Sequence, residues 1–167
     1  MSRIADRFEI QDCLFRYARA VDRLDYDAIA DCYFPDAIDV HGGYTGDVAG
    51  LVADIRARHQ VVESAQHFIT NVLVEFVSAD VAHVESYCLC YFRNVGEPDE
   101  PARTQFITRC RYVDRFERRD GRWAIADRVV VFDESVSQQV VDLSRGDWVL
   151  SRRDRHDPVY RHRETSA

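Results

Sequence analysis

SAQHFITNVLVEFV, residues 64–77, is the stretch whose reading decides the fold. Polar and apolar residues alternate along much of it, which predicts a long strand with one half-buried face. On a period of two, His67, Ile69, Asn71 and Leu73 share a face. A histidine and an amide on an otherwise apolar face point to the wall of a pocket. The partner sought for His67 is Asp22, at the end of the first predicted helix. Asn71 reads as a strand hydrogen-bonder and as a candidate substrate contact.

Outward from this stretch, three more strands are expected at 80–93, 102–118 and 122–133. Ser78–Ala79–Asp80 makes a tight connection, Gly96–Pro101 a longer acidic loop, and Arg119–Asp120–Gly121 a hairpin turn of the strong Asp-Gly type. Short connections between successive strands imply an antiparallel meander. Before it, residues 3–23 read as a helix with Ile10, Leu14, Tyr17, Ala18 and Val21 as its apolar stripe. Asp22 follows Ala18 by four residues and so borders that stripe. Asp25 can cap a second short helix, which ends before Phe34–Pro35. A short strand at 37–41, a Gly42–Gly43 turn, and a third helix at 47–63 with Val48, Leu51, Val52 and Ile55 inward complete the first half. Helices first and strands afterwards define an α+β class. The expected architecture is a cone-shaped α+β barrel: N-terminal helices packed in the concavity of a strongly curved, mostly antiparallel sheet, with an internal cavity suited to a small molecule.

At 167 residues the chain is long enough for one domain with a sizeable core, and 46% hydrophobic residues is ordinary for a globular protein. The body is placed at 1–135. Residues 136–167 form a C-terminal tail, packing on the body or on a neighbouring subunit through Val140, Val141, Leu143, Trp148 and Val149. Residues 151–163 read as a solvated arm, with His156 and His162 exposed. The formal net charge of −7 argues against a nucleic-acid binder or an anionic-membrane binder. No apolar run is long enough to span a bilayer, and the first residues lack a signal-peptide pattern. The five cysteines are odd in number and fall inside patterned segments, which fits reduced buried thiols and a cytoplasmic location. Cys88 and Cys90 share one strand face. With no second pair to complete a metal site, they read as small core residues. His41, His59 and His83 have no metal-site spacing. No phosphate-binding glycine loop and no dinucleotide fingerprint is present, so neither a cofactor nor a metal is expected.

YARAVDRLD in the first helix, QHFITNVLVEFVSAD in the long strand and FERRDGRWAIADRVVVFD at the last hairpin together resemble the SnoaL-like group of the nuclear transport factor 2-like superfamily. The likeness covers roughly residues 5–133, and its dehydratase and dehydrochlorinase branches are the nearest in pattern. It implies the cystatin-like cone, cofactor-independent elimination chemistry and a homotrimer. Its catalytic aspartate and histidine fall on Asp22 and His67. A tyrosine five positions before the aspartate falls on Tyr17, and an arginine on the final strand falls on Arg128. The dehydrochlorinases carry a lysine where this chain has Tyr17. Further tyrosines of the dehydratases have Tyr44 and Tyr26 as candidates.

Those residues permit proton abstraction from carbon. An aspartate on one imidazole nitrogen fixes the tautomer and leaves the other nitrogen to accept a proton. Tyr17 lies about 140° around an ideal helix from Asp22, so the two meet one chamber only where the helix ends. Arg128, among Ala124, Ala126 and Val130, has room to project inward and hold an oxygen, or to pair across the sheet. The expected function is a cofactor-independent, dehydratase-like lyase acting on a bulky aromatic, polycyclic or steroid-like substrate. A ketosteroid-isomerase-like isomerase is the alternative within enzymes, and elimination of formaldehyde from an aromatic alcohol is another outcome of such a site. The alternatives outside enzymes are a noncatalytic subunit like the small subunits of ring-hydroxylating dioxygenases, and a ligand-binding protein.

Overall fold

In the computed structural model, which describes residues 3–96 and 102–161, the chain forms one six-stranded curved sheet with three helices. Helix α1 (Ile4–Arg23) lays Ile10, Cys13, Leu14, Tyr17 and Val21 into the core, each at 4% exposure or less. Burying side chains of this size contributes roughly 1.5–3 kcal/mol apiece. The helix stops at Leu24, whose φ of 54° is left-handed and turns the chain away. Asp25 then caps the short α2 (Tyr26–Ala30), accepting from the Ala28 amide at 3.4 Å.

Strands β1 (Tyr33–His41) and β2 (Tyr44–Asp47) form a hairpin across Gly42–Gly43, with Gly42 at φ 64°. Asp47 caps α3 (Val48–Arg58) through the Gly50 amide at 2.8 Å. The meander follows: β3 (Val62–Phe76), β4 (Val81–Asn94), β5 (Ala102–Arg119) and β6 (Arg122–Val141). The strand order is β2-β1-β6-β5-β4-β3. All pairs are antiparallel except β1 with β6, which brings the first long strand beside the last. The core lies between α1 and the inner face of the sheet, where Val74, Ala82, Val84, Cys88, Cys90, Cys110, Tyr112, Phe116 and Ile125 are buried. This is the expected α+β cone.

Several local expectations need correction. β1 starts at Tyr33 rather than Ala37, running through Pro35 with a register shift before Ile38, and β2 was not foreseen. Helix α3 ends at Arg58 and gives way to one 3-10 turn over His59–Val61. β6 runs past residue 135 to Val141 because β5 is long enough to pair with it, Ala102 opposite Val141. The arm read as solvated is not so throughout: Asp157 and Tyr160 are buried and Arg153 is half-buried. Residues 97–101 of the acidic loop, and His162, lie outside the described residues.

The largest correction is in β3 itself. Register slips between Thr70 and Leu73, and Asn71 bulges with φ 48°. His67 and Ile69 face inward. Past the bulge the inward set is Val72, Val74 and Phe76, while Asn71 and Leu73 are exposed. The four residues expected on one face are therefore split. Asparagine tolerates the left-handed conformation where a β-branched side chain does not. Asn71→Val is expected to lower unfolding free energy by about 1–2 kcal/mol and Asn71→Gly to change it by only a few tenths, both read by urea denaturation.

Candidate active site

The end of α1 meets the start of β3 at a single carboxylate. Asp22 Oδ1 lies 2.6 Å from His67 Nδ1, and Asp22 Oδ2 accepts the His67 backbone amide at 3.0 Å. Both side chains are buried, at 10% and 6% exposure. A carboxylate only accepts, so Nδ1 carries the proton and Nε2 is the nitrogen left to other chemistry. The imidazole stands edge-on to Phe92 of β4, with ring centroids 5.3 Å apart. Asp22 can reach β3 because α1 ends one residue later. A further helical turn would carry the chain across the strand.

The C-terminal segment holds this junction from outside. Arg153 donates to the Val21, Asp22 and Val62 carbonyls at 2.9–3.0 Å and lies 2.8 Å from His59 Nδ1. A guanidinium placed on the last carbonyls of a helix is favoured by the helix dipole as well as by the hydrogen bonds. Arg155 and the Tyr160 hydroxyl both reach Asp25 at 3.2 Å, and Arg23 pairs with Asp157 at 3.3 Å. Arg153 is the residue near the site that sequence reading missed. Nothing in SRRDR marks one arginine out, because its partners are backbone carbonyls far along the chain.

The inner wall opposite carries a second charge cluster. Arg128 is fully buried and grips Asp114 with two bonds, Nε to Oδ1 and Nη2 to Oδ2, each 2.7 Å. The pair is directly across the β5–β6 ladder. The guanidinium lies over the rings of Tyr112 at 4.1 Å and Tyr17 at 4.5 Å. Its Nη1 reaches the Tyr33 hydroxyl at 3.4 Å, and that hydroxyl donates to Asp39 at 2.7 Å. Arg128 thus faces inward as expected, and it is also the cross-strand ion pair given as the alternative. Tyr17 is buried edge-on to Tyr33 and Tyr112. Burial pushes its phenol well above the ordinary value, so the hydroxyl stays protonated.

The remaining candidates stand apart. Asn71 is exposed at its bulge. Tyr44 spends its hydroxyl on the Asp47 carbonyl at 2.6 Å and packs beside Gly46 and Gly50 at the start of α3. Tyr26 lies beneath the Arg56 guanidinium at 3.8 Å, bordering a cleft of about 600 Å³ between α2, α3 and β1. A second cleft of about 580 Å³ opens among Leu73, His83, Arg111 and Val129. Neither is lined by His67, Tyr17 or Arg128; around Arg128 the rings of Tyr17, Tyr33 and Tyr112 pack edge to face. No helix among the described residues is long and apolar enough to cross a membrane.

The curved α+β cone is the fold of the nuclear transport factor 2-like superfamily. Within it the chain belongs to the SnoaL-like domain family, whose sequence pattern matches residues 2–129. It is similar to hexachlorocyclohexane dehydrochlorinase 1 of Sphingobium indicum, 28% identical over 129 residues that cover 75% of this chain and 80% of the relative. Among solved structures it resembles a putative scytalone dehydratase from Novosphingobium aromaticivorans, with 17% identity, a TM-score of 0.72, and coverage of 89% and 97% of the two chains. It also resembles a hexachlorocyclohexane dehydrochlorinase from Novosphingobium barchaimii, with 24% identity, a TM-score of 0.70, and coverage of 86% and 97%. At these identities the solved structures establish the fold.

Two stability effects follow from the site. Asp114→Ala strands a buried guanidinium and is expected to destabilise by about 3–5 kcal/mol in urea denaturation, whereas the double change Asp114→Leu with Arg128→Met recovers most of that loss. Burial and the neighbouring Arg153 charge lower the His59 pKa from 6.5 to about 3. A depressed value means the fold prefers the neutral ring. That contribution is complete above pH 6.5 and drains away as pH falls toward 3. Thermal melts between pH 7 and 4 are expected to show a steeper loss in the parent than in His59→Gln, whose amide oxygen still accepts from Arg153.

Proposed function

We propose that this protein is a cofactor-independent lyase that removes a proton from carbon and expels a leaving group from the adjacent position. The observation that carries this reading is the buried 2.6 Å contact between His67 Nδ1 and Asp22 Oδ1. His67 Nε2 takes the proton. The C–H bonding pair becomes the new double bond while the leaving group departs with its own pair. Asp22 holds the tautomer and stabilises the imidazolium that forms. The imidazolium returns its proton to a departing hydroxide, giving water, or to solvent when the leaving group is chloride. Tyr17, kept protonated by burial, donates to oxygen where negative charge develops. Arg128 anchors this wall through its charge and the tyrosines stacked on it.

The kinship with dehydrochlorinases supports an elimination, and Tyr17 in place of their lysine favours an oxygen leaving group over chloride. A bulky, mostly apolar substrate fits a wall of aromatic and aliphatic side chains. We further propose a cytoplasmic homotrimer. Phe68, Leu73, Tyr87, Val113, Val129 and Phe132, between 37% and 55% exposed, stand on the outer sheet face among Glu85, Arg111 and Asp127, a mixed surface of the kind that subunits bury against one another.

The test is a turnover screen across aromatic and steroidal alcohols and chlorinated cyclohexanes, run with the parent, His67→Ala and Asp22→Asn. Loss of kcat by about 10²–10⁴-fold in both variants, with folding intact by circular dichroism, is the expected result. Turnover that survives His67→Ala overturns the assignment of the base.

A further inference from the structure

Three of the five thiols form a cluster that the elimination chemistry does not use. Cys88 and Cys90 lie two apart on β4, so both project inward. The β4–β5 register then sets Cys110 directly opposite Cys88. All three are buried and free, and their sulfurs lie within 4.8 Å of one another, Cys88 Sγ to Cys90 Sγ at 3.3 Å. The other two cysteines differ. Cys13 Sγ donates to the Cys32 carbonyl at 3.4 Å and Cys32 Sγ to the Ala28 carbonyl at 3.2 Å, which is the behaviour of small core residues.

We propose that Cys88, Cys90 and Cys110 bind one thiophilic divalent cation of the zinc and cadmium class. Zinc–thiolate bonds of about 2.3 Å in tetrahedral geometry separate sulfurs by about 3.8 Å. With one separation at 3.3 Å and none beyond 4.8 Å, the three sulfurs stand near enough to that value to meet one ion. Three thiolates leave a fourth position open. Binding converts three S–H groups and an aquated M²⁺ into a tris-thiolate complex of charge −1, and releases three protons to solvent. The Arg128–Asp114 ion pair lies close by, its guanidinium over Tyr112, two residues along β5 from Cys110. The pairing that completes the trio joins strand residues 22 positions apart in the chain, so the C-x-C on its own had read as core.

The proposal stands whether or not the elimination chemistry is correct, and its test uses no substrate. The reduced full chain is titrated with Cd²⁺ and followed by thiolate-to-metal charge-transfer absorption. Saturation at one equivalent is expected, with affinity lowered at least about 100-fold in Cys90→Ser and in Cys110→Ser, and unchanged in Cys32→Ala. Should a serine variant fail to fold, zinc-edge X-ray absorption on the wild-type chain still decides: three sulfur scatterers at about 2.3 Å support the site. A zinc shell of nitrogen and oxygen alone, saturation without charge-transfer absorption, or binding undiminished in both serine variants overturns it.

Discussion

One carboxylate joins the two halves of this molecule. Asp22 uses both oxygens on a single residue of β3, one on its ring and one on its amide. A buried carboxylate is stable only when its lone pairs are filled, so this two-point grip fixes how the end of α1 sits on the sheet. Much of the local architecture serves that position. Leu24 takes a left-handed turn at once, Asp25 starts α2, and Arg153 covers the carbonyls that α1 leaves open. The segment bearing Arg153 is therefore part of the site's support.

The sheet contributes a different kind of polarity. Arg128, Asp114, Tyr33 and Asp39 form a chain of contacts across three adjacent strands, walled by aromatic rings. Such a network is stable because the guanidinium is gripped on two sides and stacked on its faces. The Asp22–His67 contact thus ties α1 to β3, and the Arg128–Asp114 ion pair ties β6 to β5. Between them lie Tyr17 and the thiol wall of β4 and β5.

What the sequence disclosed divides along a physical line. The α+β cone was readable because amphipathic periods, caps and an Asp-Gly turn are local properties. His67 was readable as an inward histidine by alternation, and its link to Asp22 came through family resemblance. Features set by pairing between distant strands were not readable. The bulge at Asn71 turns Leu73 outward, yet nothing near Asn71 announces a register slip. Residues 136–141 read as tail because VSQQVV barely alternates, and only the length of β5 makes them strand. Arg153 and Cys110 gain their roles from partners that the fold alone brings near.

The central claim is that Asp22 holds His67 in the tautomer that frees Nε2. It is tested most directly by ¹⁵N NMR of the histidine-labelled protein at a pH where the His67 ring is neutral. The account predicts a protonated Nδ1 and an unprotonated Nε2 in the parent, with that preference lost in Asp22→Asn. A neutral ring carrying its proton on Nε2 in the parent would contradict it.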